Sequence, residues 1–389
     1  LDRKALVPLL IATCVPLIGL ARAMDLRAVF RLSPLVICAA VLALWAAITS
    51  FWGYDTHFID LGRIVITIML GIFLARGIAA LPDSIAARLD LWVIAGSGVM
   101  VAFLLEEQVT GAWVSNLLHP EPKYQAIGPY YRHVFDIAGG GAAILAPTCI
   151  AVAVLIYVRA RSKALAVVYF AFTLALCLRM PMAAAPLAIA LGGMTFAAAY
   201  FFRRLTFAAI FTGFAFYLLT APIVTVMLSP LGNVSLPEAS PPEFSEQDEV
   251  SRQARLGIWR HVSQLISDAP ILGHGFDAAR DLSATNEKLP GTDFPAIPIH
   301  PHNGVLQVWL ELGAVGVLLV GGLLAAGWRA TAPLWDKPLA AATVAGTLVA
   351  AAILILVSFS LWNTWWLATL SFAAAFAVRA VKSASVPRS

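Results

Sequence analysis

Long apolar stretches, separated by short charged connections, set the pattern of this chain. About eleven of them approach or reach the length of a membrane helix. They cover residues 5–20, 34–52, 61–80, 89–109, 135–158, 164–178, 182–202, 205–228, 303–327, 338–358 and 360–378. A run of roughly 18 apolar residues with few charges is long enough to span a bilayer core. The pattern predicts an all-α polytopic membrane protein with about 11–12 transmembrane helices, forming a single domain over residues 1–389. The junctions at 179–181 and at Phe359 are so short that a kinked or re-entrant hairpin is expected at either.

Composition agrees with the pattern. Of 389 residues, 60% are hydrophobic and 12% charged, where soluble domains carry about 25% charged residues. A net charge of +4 is too small to point to nucleic acid. The four cysteines, Cys14, Cys38, Cys149 and Cys177, lie inside apolar runs without metal-ligand spacing and read as small packing residues. The chain opens at Leu1, so residues are expected to precede it, and no cleavable signal is read.

The charges report orientation. Arg22, Arg27 and Arg31 share one connection, Arg76 and Arg88 flank another, and Arg159, Arg161 and Lys163 form a third. Arg203 with Arg204, Arg329 with Lys337, and the tail with Arg379, Lys382 and Arg388 complete the set. Alternating spans put all of these on one side, which the positive-inside rule makes cytoplasmic. The visible N-terminus, with Arg3 and Lys4, then falls outside, which one further helix ahead of Leu1 would resolve.

Several cations break the rule by falling on the outer side. Arg63 opens the third run, Arg132 and His133 precede the fifth, and Arg179 lies between the sixth and seventh. Arg252, Arg255 and Arg260 lie in the long outer loop 229–302, and His302 sits at the mouth of the next run. Each alone reads equally as a snorkelling side chain or a surface pair. As a set they form a cationic cup suited to phosphate oxygens, because arginine binds them with two parallel hydrogen bonds.

Within the loop, 245–248 resembles a capping box at the start of an amphipathic helix running to about Asp268. Arg252, Arg255 and Trp259 fall on one face, and Leu256, Val262 and Ile266 are placed to bury into the membrane surface. His274, in a Gly-His-Gly turn, reads as a turn residue. His302 follows Pro301 and is expected in the first helical turn, where an imidazole can serve as a base near neutral pH. His300 has only a weaker form of that case.

These pieces carry a resemblance. Arg179 after an apolar run, Arg255-Leu-Gly-Ile-Trp259, Pro270-Ile-Leu-Gly-His-Gly275, and His302-Asn303-Gly-Val-Leu306 followed by Glu311-Leu-Gly313 and Gly316 resemble the O-antigen ligase/polymerase superfamily. The likeness is strongest in the second half, and His-Asn-x-x-Leu is its most specific block. It implies a GT-C-like membrane glycosyltransferase, working at the periplasmic face of the bacterial inner membrane. A glycan would pass from an undecaprenyl-pyrophosphate donor to an acceptor, without a nucleotide sugar.

The resemblance maps the family's essential histidine onto His302, its loop arginine onto Arg255 with Arg252 as competitor, and its membrane arginine onto Arg179. At Arg179 the flanking Leu178 and Met180-Pro181 depart from the family's motif. Arg252, Arg63, Arg132, His133 and Asn303 are the expected substrate-binding residues. No cofactor and no metal are expected, because the outer acids Asp277, Asp281, Asp293 and Glu311 form no Asp-x-Asp pair. The first expectation is an inverting, metal-independent O-antigen ligase acting on lipid A-core. The alternatives are an O-antigen or exopolysaccharide polymerase and a protein O-oligosaccharyltransferase. A lipid-linked glycan transporter is the different class, disfavoured because no charge lies near mid-helix and no inverted repeat is evident.

Overall fold

A computed structural model describes residues 5–19, 32–111, 113–118, 139–180, 182–228, 244–289 and 295–385. Its helices, in chain order, are α1 (Leu6–Gly19), α2 (Pro34–Thr49), α3 (Phe58–Ala80), α4 (Asp83–Thr110) and the short α5 (Trp113–Leu118). There follow α6 (Gly139–Ala160), α7 (Lys163–Cys177), α8 (Ala184–Phe201), α9 (Arg203–Leu228), α10 (Phe244–Asp268) and α11 (Ala278–Ala284). The last are α12 (Gly304–Thr331), α13 (Pro338–Val357) and α14 (Thr364–Ser385). Eight helices among the described residues are long and apolar enough to cross a membrane, and α1, α2 and α7 are shorter apolar helices. Together they correspond one to one with the eleven apolar runs, so the protein is an all-α polytopic membrane protein.

Local signals set the helix starts. Ser33 precedes Pro34 at the first turn of α2 and accepts a hydrogen bond from the Val36 amide at 3.4 Å. Ser162 caps α7 in the same way, through the Leu165 amide at 3.2 Å. Burial then sorts the helices. The apolar window of α6 is 78% buried, whereas those of α4 and α9 are only 17% buried. A helix apolar on all sides belongs at the centre of a bundle, and α6 is that helix. Small residues set the closest packing. A Cβ on Gly192 of α8 would lie 2.9 Å from the Gly346 carbonyl of α13, so the two backbones touch directly.

One end of the bundle collects the basic connections. Asp90 of α4 is fully buried and is bracketed by Arg159 of α6 (Nε–Oδ2 2.7 Å) and Arg379 of α14 (Nε–Oδ1 2.6 Å), with the Ser383 hydroxyl donating at 2.7 Å. Arg76 reaches Ser33 at 3.3 Å, Lys382 donates to the Ala79 carbonyl, and Arg203 donates to the Trp335 carbonyl at 2.6 Å. Cations assigned to one side from the sequence thus meet at one end in space.

The chain's break lies elsewhere than the two short junctions. Residues 178–180 and 358–363 are turns after helices, without a break inside a helix. Instead α12 is interrupted at Gly313, whose φ of 61° and ψ of −165° are not helical. A break inside a membrane span strands amide and carbonyl groups that need partners. The turn 270–275 supplies them. The His274 amide donates to the Leu310 carbonyl at 2.8 Å and the Gly275 amide to the Glu311 carbonyl at 3.0 Å. In return the Ala314 amide donates to the Pro270 carbonyl at 2.9 Å and the Val315 amide to the Ile271 carbonyl at 3.3 Å. Trp45 of α2 donates its indole N–H to the Leu312 carbonyl at 3.0 Å. The loop after α10 is therefore stitched into α12 by backbone bonds.

Candidate active site

The end of the bundle opposite Asp90 holds the candidate site, built where α10, the loop before α12 and the turn after α13 converge. Helix α10 does not lie on a membrane surface, as its pattern led us to expect. Ile258, Val262 and Ile266 are buried against Leu218 and Ala221 of α9 and Leu306 and Leu310 of α12. Thr225 and Ser263 share a hydrogen bond of 2.8 Å across the α9–α10 contact. The apolar face had protein to bury against, and a protein neighbour fills that face more completely than a lipid surface. The helix begins at Phe244, one residue before the expected capping box, and its side chains through Arg252 lie outside the described residues.

Trp259 of α10 fastens the helix to the histidine loop, its indole N–H donating to the Pro301 carbonyl at 2.9 Å. Arg255, one turn earlier on the same face, stands close enough to both His300 and His302 to disfavour their charged forms. That face is the one the sequence pattern singled out.

His302 is not in the first turn. The N-cap is Asn303, whose Oδ1 accepts from the Val305 and Leu306 amides, both at 3.1 Å. His302 lies just outside the helix with a left-handed backbone, φ 52°. Such a backbone is uncommon for a residue with a side chain. Here its amide donates to His300 Nδ1 at 3.1 Å, which fixes the bend. His302 Nδ1 lies 2.9 Å from the Ser358 carbonyl. A carbonyl only accepts, so Nδ1 carries the proton and Nε2 carries the lone pair.

The electrostatics keep both rings neutral. Burial lowers the His302 pKa, the Arg255 charge lowers it further, and the Ser358 bond acts in the opposite direction. Burial, with His302 and Arg255 nearby, takes His300 down to about 3. A neutral imidazole with a free Nε2 lone pair beside a guanidinium can accept a proton while the cation holds an anion.

The other expected residues divide. Asn303 is buried, and its amide group is committed to the helix cap and, through Nδ2, to the Tyr217 hydroxyl at 2.6 Å. Arg179 is exposed at the α7–α8 turn. Its neighbours Cys177 and Met180 share a cluster with Leu354, Val357 and Phe359 of the turn that carries Ser358, so Arg179 and His302 belong to the same end. Arg63 is exposed and pairs with Asp60 at 2.9 Å. Arg132 and His133 lie outside the described residues.

Arg63 belongs to a second cluster. The ligand atoms of His57, Asp60 and Asp277 lie within 4.8 Å of one another, a spacing that a cation could use. Each nearby acid already faces a basic group: Asp60 has Arg63, Asp277 has Arg280 at 2.8 Å, and Asp281 has His57 at 3.0 Å. Burial raises the Asp277 pKa, while Arg280 and His57 oppose the rise.

Sequence reading missed the partners that hold these groups. The Ser358 carbonyl is invisible in sequence because any residue would supply it. Gln307 and Glu311 carried a signal, two polar residues one turn apart in an apolar run. The glycines at 273, 275 and 313 were another, and they mark the break.

Residues 138–321, which run from α6 into α12, match the family model described as O-antigen ligase. Three Rickettsia proteins carry the name "Putative polysaccharide ligase". The one from Rickettsia conorii is 27% identical over 192 residues, and that match covers 48% of this chain and 44% of the relative. Those from Rickettsia felis and Rickettsia bellii are each 26% identical, over 192 and 189 residues, with the same coverage. The match spans less than half the length of these relatives. Over this region, which is just under half of the chain and takes in the histidine block and the broken helix, the chain is similar to O-antigen ligase-like proteins.

Proposed function

We propose that the protein is an O-antigen ligase: a membrane glycosyltransferase that moves a glycan from an undecaprenyl-pyrophosphate carrier to lipid A-core at the periplasmic face. The observation that carries this reading is the His302 geometry. Ser358 holds the proton on Nδ1, which leaves Nε2 as the acceptor, and Arg255 stands beside it. In the proposed reaction Nε2 takes the proton of an acceptor hydroxyl as that oxygen attacks the anomeric carbon. The bond from that carbon to the pyrophosphate breaks, and the pyrophosphate leaves with its negative charge. Arg255 and Arg179 stabilise that charge, with Arg252, Arg63, Arg132 and His133 as further candidates. In-line displacement inverts the anomeric configuration.

The test is a reconstituted assay with purified protein, carrier-linked glycan and lipid A-core. Glycan should appear on the core, and His302→Ala should stop its transfer while the protein remains folded. Lengthening of the carrier-linked glycan with no transfer to core would replace the ligase reading with that of a polymerase. Full activity of His302→Ala would remove the base.

A further inference from the structure

Glu311 is fully buried in α12, immediately before the break, and three N–H groups converge on its carboxylate. Oε1 accepts from Gln307 Nε2 at 3.1 Å. Oε2 accepts from the Asp277 amide at 3.1 Å and from the Trp362 indole N–H. The three donors come from its own helix, from Asp277 at the start of α11 just beyond the turn that repairs the break, and from the turn between α13 and α14. Gln307 extends the connection, since its Nε2 also donates to the Ser360 hydroxyl at 3.0 Å and its Oε1 accepts from the Leu361 amide at 3.0 Å. Residues 360–362 are thus held at three points, and they begin two residues beyond the Ser358 carbonyl that bonds His302 Nδ1.

Nothing in the proposed chemistry uses this carboxylate. It lies under the site, and among the described residues its recorded bonds are all to N–H donors. We propose that Glu311 is a positioning residue for His302. Acting through Gln307 and the 358–362 turn, it keeps the Ser358 carbonyl against Nδ1 and so fixes which nitrogen of His302 accepts the proton. This rests on the reading of His302 as the base. The arrangement demands an acceptor at every contact. An amide at position 311 would turn an NH2 group toward one of the three donors, and buried donors facing one another are strongly disfavoured.

The experiment uses the full chain in lipid nanodiscs. The variants are Glu311→Gln, Ser360→Ala and Trp362→Phe, with His302→Ala as reference. Trp362→Phe removes one bond and Ser360→Ala the two that its hydroxyl accepts, from Gln307 and the Trp362 amide; both keep the bulk of their side chains and guard against a Glu311 variant that fails to fold. The first readout is the tautomer of His302, from ¹⁵N-histidine NMR difference spectra against His302→Ala. The second is kcat and donor KM as a function of pH.

In the unmodified protein His302 should show Nδ1–H. In Glu311→Gln the signal should move toward the Nε2–H form. The kcat should fall roughly ten- to hundredfold, as misplacement of a catalytic group by about 1 Å can cause, with donor KM within about twofold because the arginines are untouched. Losing the Ser358 bond also removes the influence that raises the His302 pKa, so the acidic limb of kcat should move to lower pH. His300 and Arg255, which face His302, Asp277, which faces Glu311, and His57, Asp60, Asp281 and Arg280, which lie around Asp277, are unchanged in these variants. Ser360→Ala and Trp362→Phe should shift the same quantities less.

A tautomer, limb and kcat that stay put in all three variants would overturn the proposal, as would a uniform loss of folded protein with the limb unmoved. The base reading fails separately: an active His302→Ala would remove it, whatever the tautomer does in Glu311→Gln.

Discussion

Gly273 and Gly313 stand face to face across the break in α12, each occupying the space where the other's side chain would go. A Cβ on Gly273 would lie 2.7 Å from the Gly313 nitrogen, and one on Gly313 would lie 2.6 Å from the Gly273 nitrogen. Both have positive φ, 72° and 61°. Glycine is required twice over, by conformation and by space.

Gly273→Ala and Gly313→Ala should therefore each destabilise the protein. Strain at such a backbone alone is worth about 1–3 kcal/mol, and the clash adds to it. Thermal unfolding in detergent is the measurement. Gly62→Ala, where nothing lies within 4 Å of the new methyl, is the control and should leave the midpoint unchanged.

His302 sets an expected pH profile. Its pKa lies below the ordinary 6.5, and the base must be neutral. Turnover should therefore persist below pH 6.5 and be lost only as pH falls through the depressed value. His302→Ala should lose on the order of a hundredfold or more, the contribution of a positioned general base. Steady-state rates between pH 4 and 8 test this, and an acidic limb above pH 6.5 would contradict the environment described.

The arginines should act as a unit. Lysine keeps the charge of Arg179 and Arg255 but not the two-pronged hydrogen bonding, so Arg255→Lys and Arg179→Lys should each lose roughly tenfold in turnover. If both hold one pyrophosphate, the double variant should lose less than the product of the two single losses. Arg260 is exposed on another face of α10, and Arg260→Lys should be near neutral. Turnover and binding of undecaprenyl pyrophosphate, measured on the same preparations, decide it. Normal binding in both variants with a dead Arg260→Lys would require the pocket to be redrawn.

Chelation should leave transfer intact. Asp60, Asp277 and Asp281 each face a basic group, and in the proposed reaction the arginines meet the leaving group's charge. Activity in excess EDTA is the measurement. A strict requirement restored by magnesium or manganese would instead assign a cation to the His57, Asp60 and Asp277 cluster.

At the other end, Asp90→Ala should be strongly destabilising. It would leave Arg379, itself buried, without its carboxylate. Removing one partner of a buried ion pair costs about 3–5 kcal/mol. A drop in the unfolding midpoint with Asp90→Ala, larger than with Arg159→Ala at the half-exposed partner, would confirm which contact dominates.

The apolar runs alone determined the helices, because a bilayer leaves the backbone no other way to satisfy itself and because run length is a local property. The same local physics let the sequence place Arg255 and Trp259 on one face of α10, while His302 was drawn out by the resemblance of its His-Asn-x-x-Leu block. Three things were decided only in three dimensions. Helix α10 packs on α9 and α12, because the protein offered a neighbour that a hydrophobic pattern cannot name. Asn303 became the helix cap and His302 stayed outside it, a matter of one residue settled by which side chain reaches the first free amides. The break at Gly313 and the tautomer of His302 depend on carbonyls from residues 270, 271 and 358. Every residue carries a carbonyl, so composition and spacing hold no trace of such bonds. They exist only once packing has brought distant turns together and the buried polar groups of each have no partner but the other.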